Sequence, residues 1–153
     1  MVNWQDVDNT WCDQLEERIM TMTIKKAAQQ MELPSMKVAG CDAWLGDAVS
    51  SDDAEKTITC GFFRLEKSEA LDYFYSYHEM KLVVDGEFVL TDEAGSKLQA
   101  SKGDVLYFRK GSRIRFETPS FGVFFLWTTA RRRGLSFERA ATRRGFWAHC
   151  AAA

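Results

Sequence analysis

Through the middle of the chain, apolar and polar residues alternate in short runs broken by Gly and Asp. A period of two places successive side chains on opposite faces of a sheet. The runs predict strands over Thr57 to Glu66, over Tyr73 to Asp85 as one strand or two, and over Phe88 to Thr91. Asp92-Glu93-Ala94-Gly95-Ser96 reads as a turn. Further strands are expected at Lys97 to Ala100, Val105 to Arg109, Arg113 to Glu117 and Phe121 to Thr129. Strands this short and evenly spaced predict a β-sandwich or barrel. Upstream, Asn9 or Thr10 is placed to cap a helix in which Trp11, Leu15, Ile19 and Met22 share a face. The tract from Ile19 to Ile24 also alternates, so a strand competes there. Pro34 ends whatever precedes it, and Ser50 to Lys56 is a loop. Downstream, Ser136 to His149 has a helical pattern, with Phe137, Ala140 and Ala141 set against Arg139, Arg143 and Arg144. No internal repeat or low-complexity linker divides the chain. It reads as one domain, with an N-terminal extension of helix or edge strands over 1–56, a barrel core over 57–130 and a helical tail over 131–153 packed outside the barrel.

Composition narrows the class. The 153 residues, 46% of them apolar, are enough for one domain with a core. Eleven Phe, five Trp and four Tyr favour strands and an aromatic-lined cavity. A net charge of -2 argues against nucleic acid as a partner. The longest apolar stretch, Phe121 to Trp127, is too short to span a bilayer, so no membrane partner is expected. The first residues, Met1 to Asp8, are acidic and lack a signal-peptide core. Cys12, Cys41, Cys60 and Cys150 are scattered, with no C-x-x-C pair, and read as free thiols of a reducing compartment. The expectation is a cytoplasmic protein.

Two glycine-punctuated segments say most. Tyr77-His78-Glu79-Met80-Lys81-Leu82-Val83-Val84-Asp85-Gly86-Glu87-Phe88 reads as a strand, a Gly turn and a second strand. Lys102-Gly103-Asp104-Val105-Leu106-Tyr107-Phe108-Arg109-Lys110-Gly111-Ser112 reads as a Gly-Asp turn, a short apolar strand and another Gly turn. Two such units in tandem resemble the paired motifs of the cupin superfamily. The resemblance implies an all-β fold, a single-domain RmlC-like jelly-roll barrel that works from its interior. Most cupins carry two His and one Glu in the first motif and one His in the second, and together these hold a divalent metal. By that pattern the Glu falls seven residues before the turn Gly, at Glu79. The two His places hold Tyr73 and Tyr75, and the second-motif His place holds Ile114. Tyr is a rare ligand for the common divalent ions and Ile has no donor atom, so no metal and no other cofactor is expected. The departure resembles one branch, the ethanolamine-utilisation protein Q type. That type has a Tyr-Asp-Glu triplet before the Gly, aromatics ahead of it, and a Gly-Asp…Lys-Gly-Ser second motif. This chain has Tyr77-His78-Glu79 after Tyr73-Phe74-Tyr75, then Gly103-Asp104 and Lys110-Gly111-Ser112. The type is associated with bacterial ethanolamine breakdown, and acetate kinase activity is attributed to it. Against this, His78 replaces the Asp, the tail is basic (Arg131 to Arg133, Arg143, Arg144), and there is no G-x-x-x-x-G-K-[ST] phosphate loop.

Strand parity sets the candidate chemistry. If Glu79 points inward, so do Tyr77 and Lys81, with Tyr73 and Tyr75 beyond a bend. A carboxylate beside an ammonium in an aromatic cavity suits acid–base work, and Tyr phenols can donate to a developing oxyanion. The alternative is a structural ion pair in a tyrosine-packed core. Glu79, Lys81, Tyr73 and Tyr75 are the candidate catalytic residues. Tyr77, His78, Tyr107, Ile114 and Phe116 are the candidate substrate-binding residues. His78 has the parity opposite to Glu79, which favours the outer surface and makes a shared metal site for the two hard to build.

Two functions follow. One is a metal-independent enzyme, of isomerase, lyase, decarboxylase or cyclase type, acting on a small, largely apolar organic molecule in the barrel. The other is a non-catalytic small-molecule-binding or assembly protein of the ethanolamine-utilisation type, or one with acetate kinase-like activity. A closed cavity of a few hundred Å³ favours the first, and a barrel filled by side chains favours a scaffold. The resemblance also implies a homodimer, in which Trp4, Trp11 and Trp44 are candidates for burial. Elemental analysis of the purified protein is expected to find no stoichiometric transition metal. A stoichiometric metal whose removal abolishes function would contradict the ligand count.

Overall fold

One long strand ties the fold together. In the computed structural model, which describes residues 22–129, β4 runs unbroken over Glu79–Asp92. The other strands are β1 (Ala43–Ser50), β2 (Thr59–Glu66), β3 (Leu71–Phe74), β5 (Lys97–Ser101), β6 (Val105–Phe108), β7 (Arg113–Glu117) and β8 (Phe121–Thr128). A single 3-10 turn at Ala28–Gln30 precedes them. The first half of β4 lies between β6 and β8. Its second half lies between β5 and β7. All pairings are antiparallel, and the sheet order is β1-β2-β8-β4-β7-β3, with β5 and β6 also on β4. The result is the curled, all-β jelly roll of a cupin. β1 is an edge strand from the N-terminal extension, paired with β2, so the sheet begins at Ala43. The expected helices at the two chain ends lie outside the described residues.

Gly86 is not a turn between two strands. It sits inside β4 with φ +67°, directly opposite Gly122 of β8. The pairing with β8 slips by one residue between Val83 and Asp85. One extra residue reverses the parity of everything that follows. Glu79, Lys81 and Val83 are buried before the bulge, and Phe88 and Leu90 after it. The bulge lets one strand keep apolar residues inside while it crosses from one sheet to the other.

The turns brace this strand. Val83 donates its N–H to the Asp104 carbonyl at 3.0 Å, and Gly103 returns one to the Val83 carbonyl at 2.9 Å. Gly111 and Ser112 do the same for Tyr75, at 2.7 and 2.9 Å, holding that residue in register although it lies outside any strand. The hairpin from β4 to β5 closes on Asp92, whose Oδ1 accepts the N–H groups of Ala94 and Ser96. Five phenylalanines, Phe63, Phe88, Phe108, Phe116 and Phe124, lie in the core between the sheets. Phe88 stacks on Phe124 with ring centres 3.9 Å apart, and Phe63 packs against Phe88, Phe116 and Phe124.

Gly86→Ala tests the crossing. A Cβ there would lie 2.2 Å from the Phe121 carbonyl oxygen, besides the strain of a positive φ. The loss of stability is expected to be about 2 kcal/mol or more by urea unfolding. Gly95→Ala has the same sign of φ with nothing within 4 Å. It should cost only the strain, on the order of 1 kcal/mol. Equal losses would show that close approach at Gly86 is unimportant.

Candidate functional site

Parity within the first half of β4 places Glu79 and Lys81 on the inner face. Glu79 pairs with Phe108 of β6 and Thr128 of β8, so its side chain starts in the middle of the sheet. Both side chains are buried, at 2% and 4% exposure. Lys81 Nζ lies 2.8 Å from Glu79 Oε2. Three phenylalanine rings surround the ammonium, with centres 5.3 Å (Phe63), 5.5 Å (Phe124) and 5.9 Å (Phe108) away. Such contacts each stabilise a desolvated cation by up to about 2 kcal/mol. Burial of two charges is therefore answered by each other and by the ring faces.

The tyrosines close the same region. Tyr75 is 1% exposed and stacks on Phe108 with centres 4.8 Å apart and planes 4° from parallel. Tyr73 and Tyr77 each meet Tyr75 edge-on, and their hydroxyls share a hydrogen bond of 2.9 Å. Glu79, Lys81, Tyr73, Tyr75 and Phe116 line one cavity with Met36, Leu45, Phe63 and Leu71. Tyr77 and Ile114 pack against this core without lining the cavity, Ile114 standing opposite Tyr73 in the pairing of β3 and β7.

The cavity is small. It encloses about 20 Å³ and opens to solvent at its mouth. Pockets for drug-sized ligands run from about 300 to 1,000 Å³. Among the described residues, aromatic rings expected to line a wide pocket pack on one another instead.

Two candidate binding residues face away. His78 and Tyr107 lie on the outer surface, because their parity is opposite to that of Glu79 and Phe108. There the His78 Nδ1 accepts the Lys110 N–H at 3.3 Å and lies 2.8 Å from the Tyr107 hydroxyl. Trp44 is half-buried in β1, opposite Arg64. Cys41 is buried, and burial pushes its thiol up, which suits a packing role.

The sequence pattern did not single out Phe63, Phe108 and Phe124 around the ammonium, nor buried Thr59 and Thr128 beside Glu79. Thr128 pairs with both Glu79 and Thr59, and its hydroxyl donates to the His78 carbonyl at 3.2 Å. Register counted from Glu79 across β6 and β8 is the signal that finds them.

A divalent metal does not suit this arrangement. At the places where cupin ligands are expected, Ile114 has no donor atom, the Tyr73 hydroxyl meets that of Tyr77, and the Glu79 carboxylate holds an ammonium. Among the described residues no three His, Cys, Asp or Glu side chains converge.

The family described as Ethanolamine utilisation protein EutQ matches residues 10–130. The acetate kinase EutQ of Clostridioides difficile (strain 630) is 26% identical over 104 residues. These cover 61% of this chain and 64% of that protein, so the chain spans somewhat less than two thirds of that relative's length. The structure of a putative ethanolamine utilization protein Q from Salmonella typhimurium LT2 superposes with a TM-score of 0.50 at 29% identity, covering 57% of this chain and 68% of that one. A cupin superfamily protein from Desulfitobacterium hafniense shares the fold, with a TM-score of 0.50 at 16% identity over 69% of this chain and 89% of that one. The family match spans the tyrosine-rich segment, both glycine motifs and the barrel around the buried pair, and the chain belongs to the EutQ family of ethanolamine utilisation proteins within the cupin superfamily.

Proposed function

We propose that the protein performs metal-independent acid–base chemistry on a small organic molecule at the Glu79–Lys81 pair. The observation that carries this reading is a buried, aromatic-caged ion pair on the wall of an internal cavity. A bound carbonyl or carboxylate oxygen would take a proton or hydrogen bond from the Lys81 ammonium. The Glu79 carboxylate would accept a proton from the substrate carbon next to that oxygen-bearing group, and the transfer reverses for product. The Tyr73 hydroxyl, hydrogen-bonded to that of Tyr77, is a second donor at the same wall. The surrounding Phe rings exclude water, which strengthens both interactions.

The size of the cavity sets the substrate class. The enclosed part holds about one water molecule, so a short acid, aldehyde or alcohol would extend from the pair into the mouth of the cavity. It does not suit the larger apolar ligand expected from the aromatic content. Acetate, named in the Clostridioides difficile relative's activity, falls in this range and would pair with Lys81. Phosphoryl transfer to it would need a nucleotide site besides. A second reading, a non-catalytic assembly protein, is favoured by one observation, the small size of the cavity that Glu79 and Lys81 line.

Solvent-deuterium incorporation separates the two. The wild type should catalyse exchange of carbon-bound hydrogen in at least one short acid or aldehyde, followed by NMR in D₂O. Glu79→Gln should slow it roughly 10²–10⁴-fold, the usual share of general acid–base catalysis. An unaffected rate in Glu79→Gln, or no exchange in any of these molecules, would contradict the catalytic reading.

A further inference from the structure

We infer that Lys81 is a nucleophile whose Nζ condenses with a short aldehyde to form an imine. This rests on the reading of Glu79 and Lys81 as an acid–base site, and it narrows the substrate to a carbonyl compound. Lys81 differs from the other lysines among the described residues. All of those are exposed, Lys37, Lys67 and Lys102 included. The Lys81 side chain is 5% exposed, yet it lines a cavity that opens to solvent. A small molecule entering by the mouth therefore meets an amine that bulk water scarcely touches.

An ammonium has no lone pair and cannot attack a carbonyl. The group that can take its proton is already in contact, since Glu79 Oε2 lies 2.8 Å from Nζ. One proton passed along that contact turns ammonium and carboxylate into amine and acid. The transfer removes two charges from surroundings that include Leu45, Phe63, Leu71 and Phe116, where charge is costly. Desolvation in an apolar pocket is an ordinary way to activate a lysine as a nucleophile.

The steps balance with these two residues alone. Nζ forms a bond to the carbonyl carbon, and the carbonyl oxygen takes the proton held by Glu79. The nitrogen then returns a proton to the carboxylate, which leaves a neutral carbinolamine. Glu79 gives that proton to the hydroxyl, the C–O bond breaks and water departs. The product is a protonated imine on Lys81 beside a Glu79 carboxylate. Its charges are those of the resting pair. The Phe63, Phe108 and Phe124 rings that face the ammonium then face the iminium. An iminium draws electrons from the adjacent carbon more strongly than a neutral carbonyl does. Glu79 can then remove a proton from that carbon and leave an enamine.

Size selects the aldehyde. Condensation expels the carbonyl oxygen, so acetaldehyde adds only two carbons to Nζ. The enclosed part of the cavity, about 20 Å³, has room for a group about the size of one water molecule. The first carbon takes that room and the methyl group extends toward the mouth. Acetaldehyde is also the smallest aldehyde with a hydrogen next to the carbonyl.

Reductive trapping of the full chain with acetaldehyde and cyanoborohydride tests this. Cyanoborohydride reduces an imine to a stable ethylamine, which peptide mapping by mass spectrometry locates. Lys81 is expected to gain one ethyl group before Lys37, Lys67 and Lys102 do. Burial alone predicts the reverse order. Glu79→Gln, checked for folding by circular dichroism, should slow labelling of Lys81 about 10²-fold and leave the exposed lysines unchanged. Labelling of wild-type Lys81 no faster than that of the exposed lysines would overturn the inference, and that result needs no variant. So would a Glu79→Gln protein labelled at Lys81 as fast as the wild type. Hydrogen exchange in short acids, which form no imine, keeps the two readings apart. Exchange there without labelling at Lys81 removes the imine and leaves the acid–base reading standing. Labelling at Lys81 without exchange in any acid or aldehyde keeps the nucleophile and removes proton transfer at carbon.

Discussion

The one-residue bulge in β4 is the constraint on which the rest depends. Without it, a strand of this length would carry one parity throughout. Either Glu79, Lys81 and Val83 or Phe88 and Leu90 would then face solvent. With it, one strand supplies the inner wall of both sheets. The first half delivers the ion pair and the second half delivers Phe88 and Leu90 to the core. Gly86 is the residue at which the backbone adopts the positive φ and approaches β8 closely.

A buried ion pair is by itself weak evidence for stability. Desolvating two charges costs several kcal/mol per ion, and mutual attraction offsets this only with good geometry and further contacts. The Phe63, Phe108 and Phe124 rings and the 2.8 Å contact supply that geometry. A Met and a Gln of similar volume would fill the same space with less desolvation. A barrel already packed with phenylalanine has no need of a charged pair for cohesion. The pair's presence on a cavity wall is the physical argument for chemistry there.

Much of this was legible in the sequence, and the limits have a physical cause. The strands from Thr57 onward, the turns at Gly103 and Gly111 and the inward place of Glu79 and Lys81 follow from alternation and spacing. Gly86 was misread because a Gly at positive φ marks a turn or a bulge equally well. The odd spacing between Val83 and Phe88, both apolar, was the clue to a parity change. Tyr107 and Phe108 could not be told apart, since Val105 to Phe108 is apolar on both faces. The same two-faced strands hid Phe63 and Phe124 among their neighbours. That ambiguity is a property of the molecule: a sheet apolar on both sides gives alternation nothing to separate. The width of the cavity was illegible too, because aromatic side chains can line a space or fill it.

The claim that Glu79 and Lys81 are kept for chemistry rather than for cohesion is tested most directly by a double-mutant cycle read by urea unfolding. Glu79→Gln or Lys81→Met alone leaves one buried charge without its partner and should cost about 3–5 kcal/mol. The account predicts that the double variant, with no buried charge, recovers the wild-type stability or exceeds it. A double variant as unstable as the single ones would show that the pair holds the barrel together, and the account would fail.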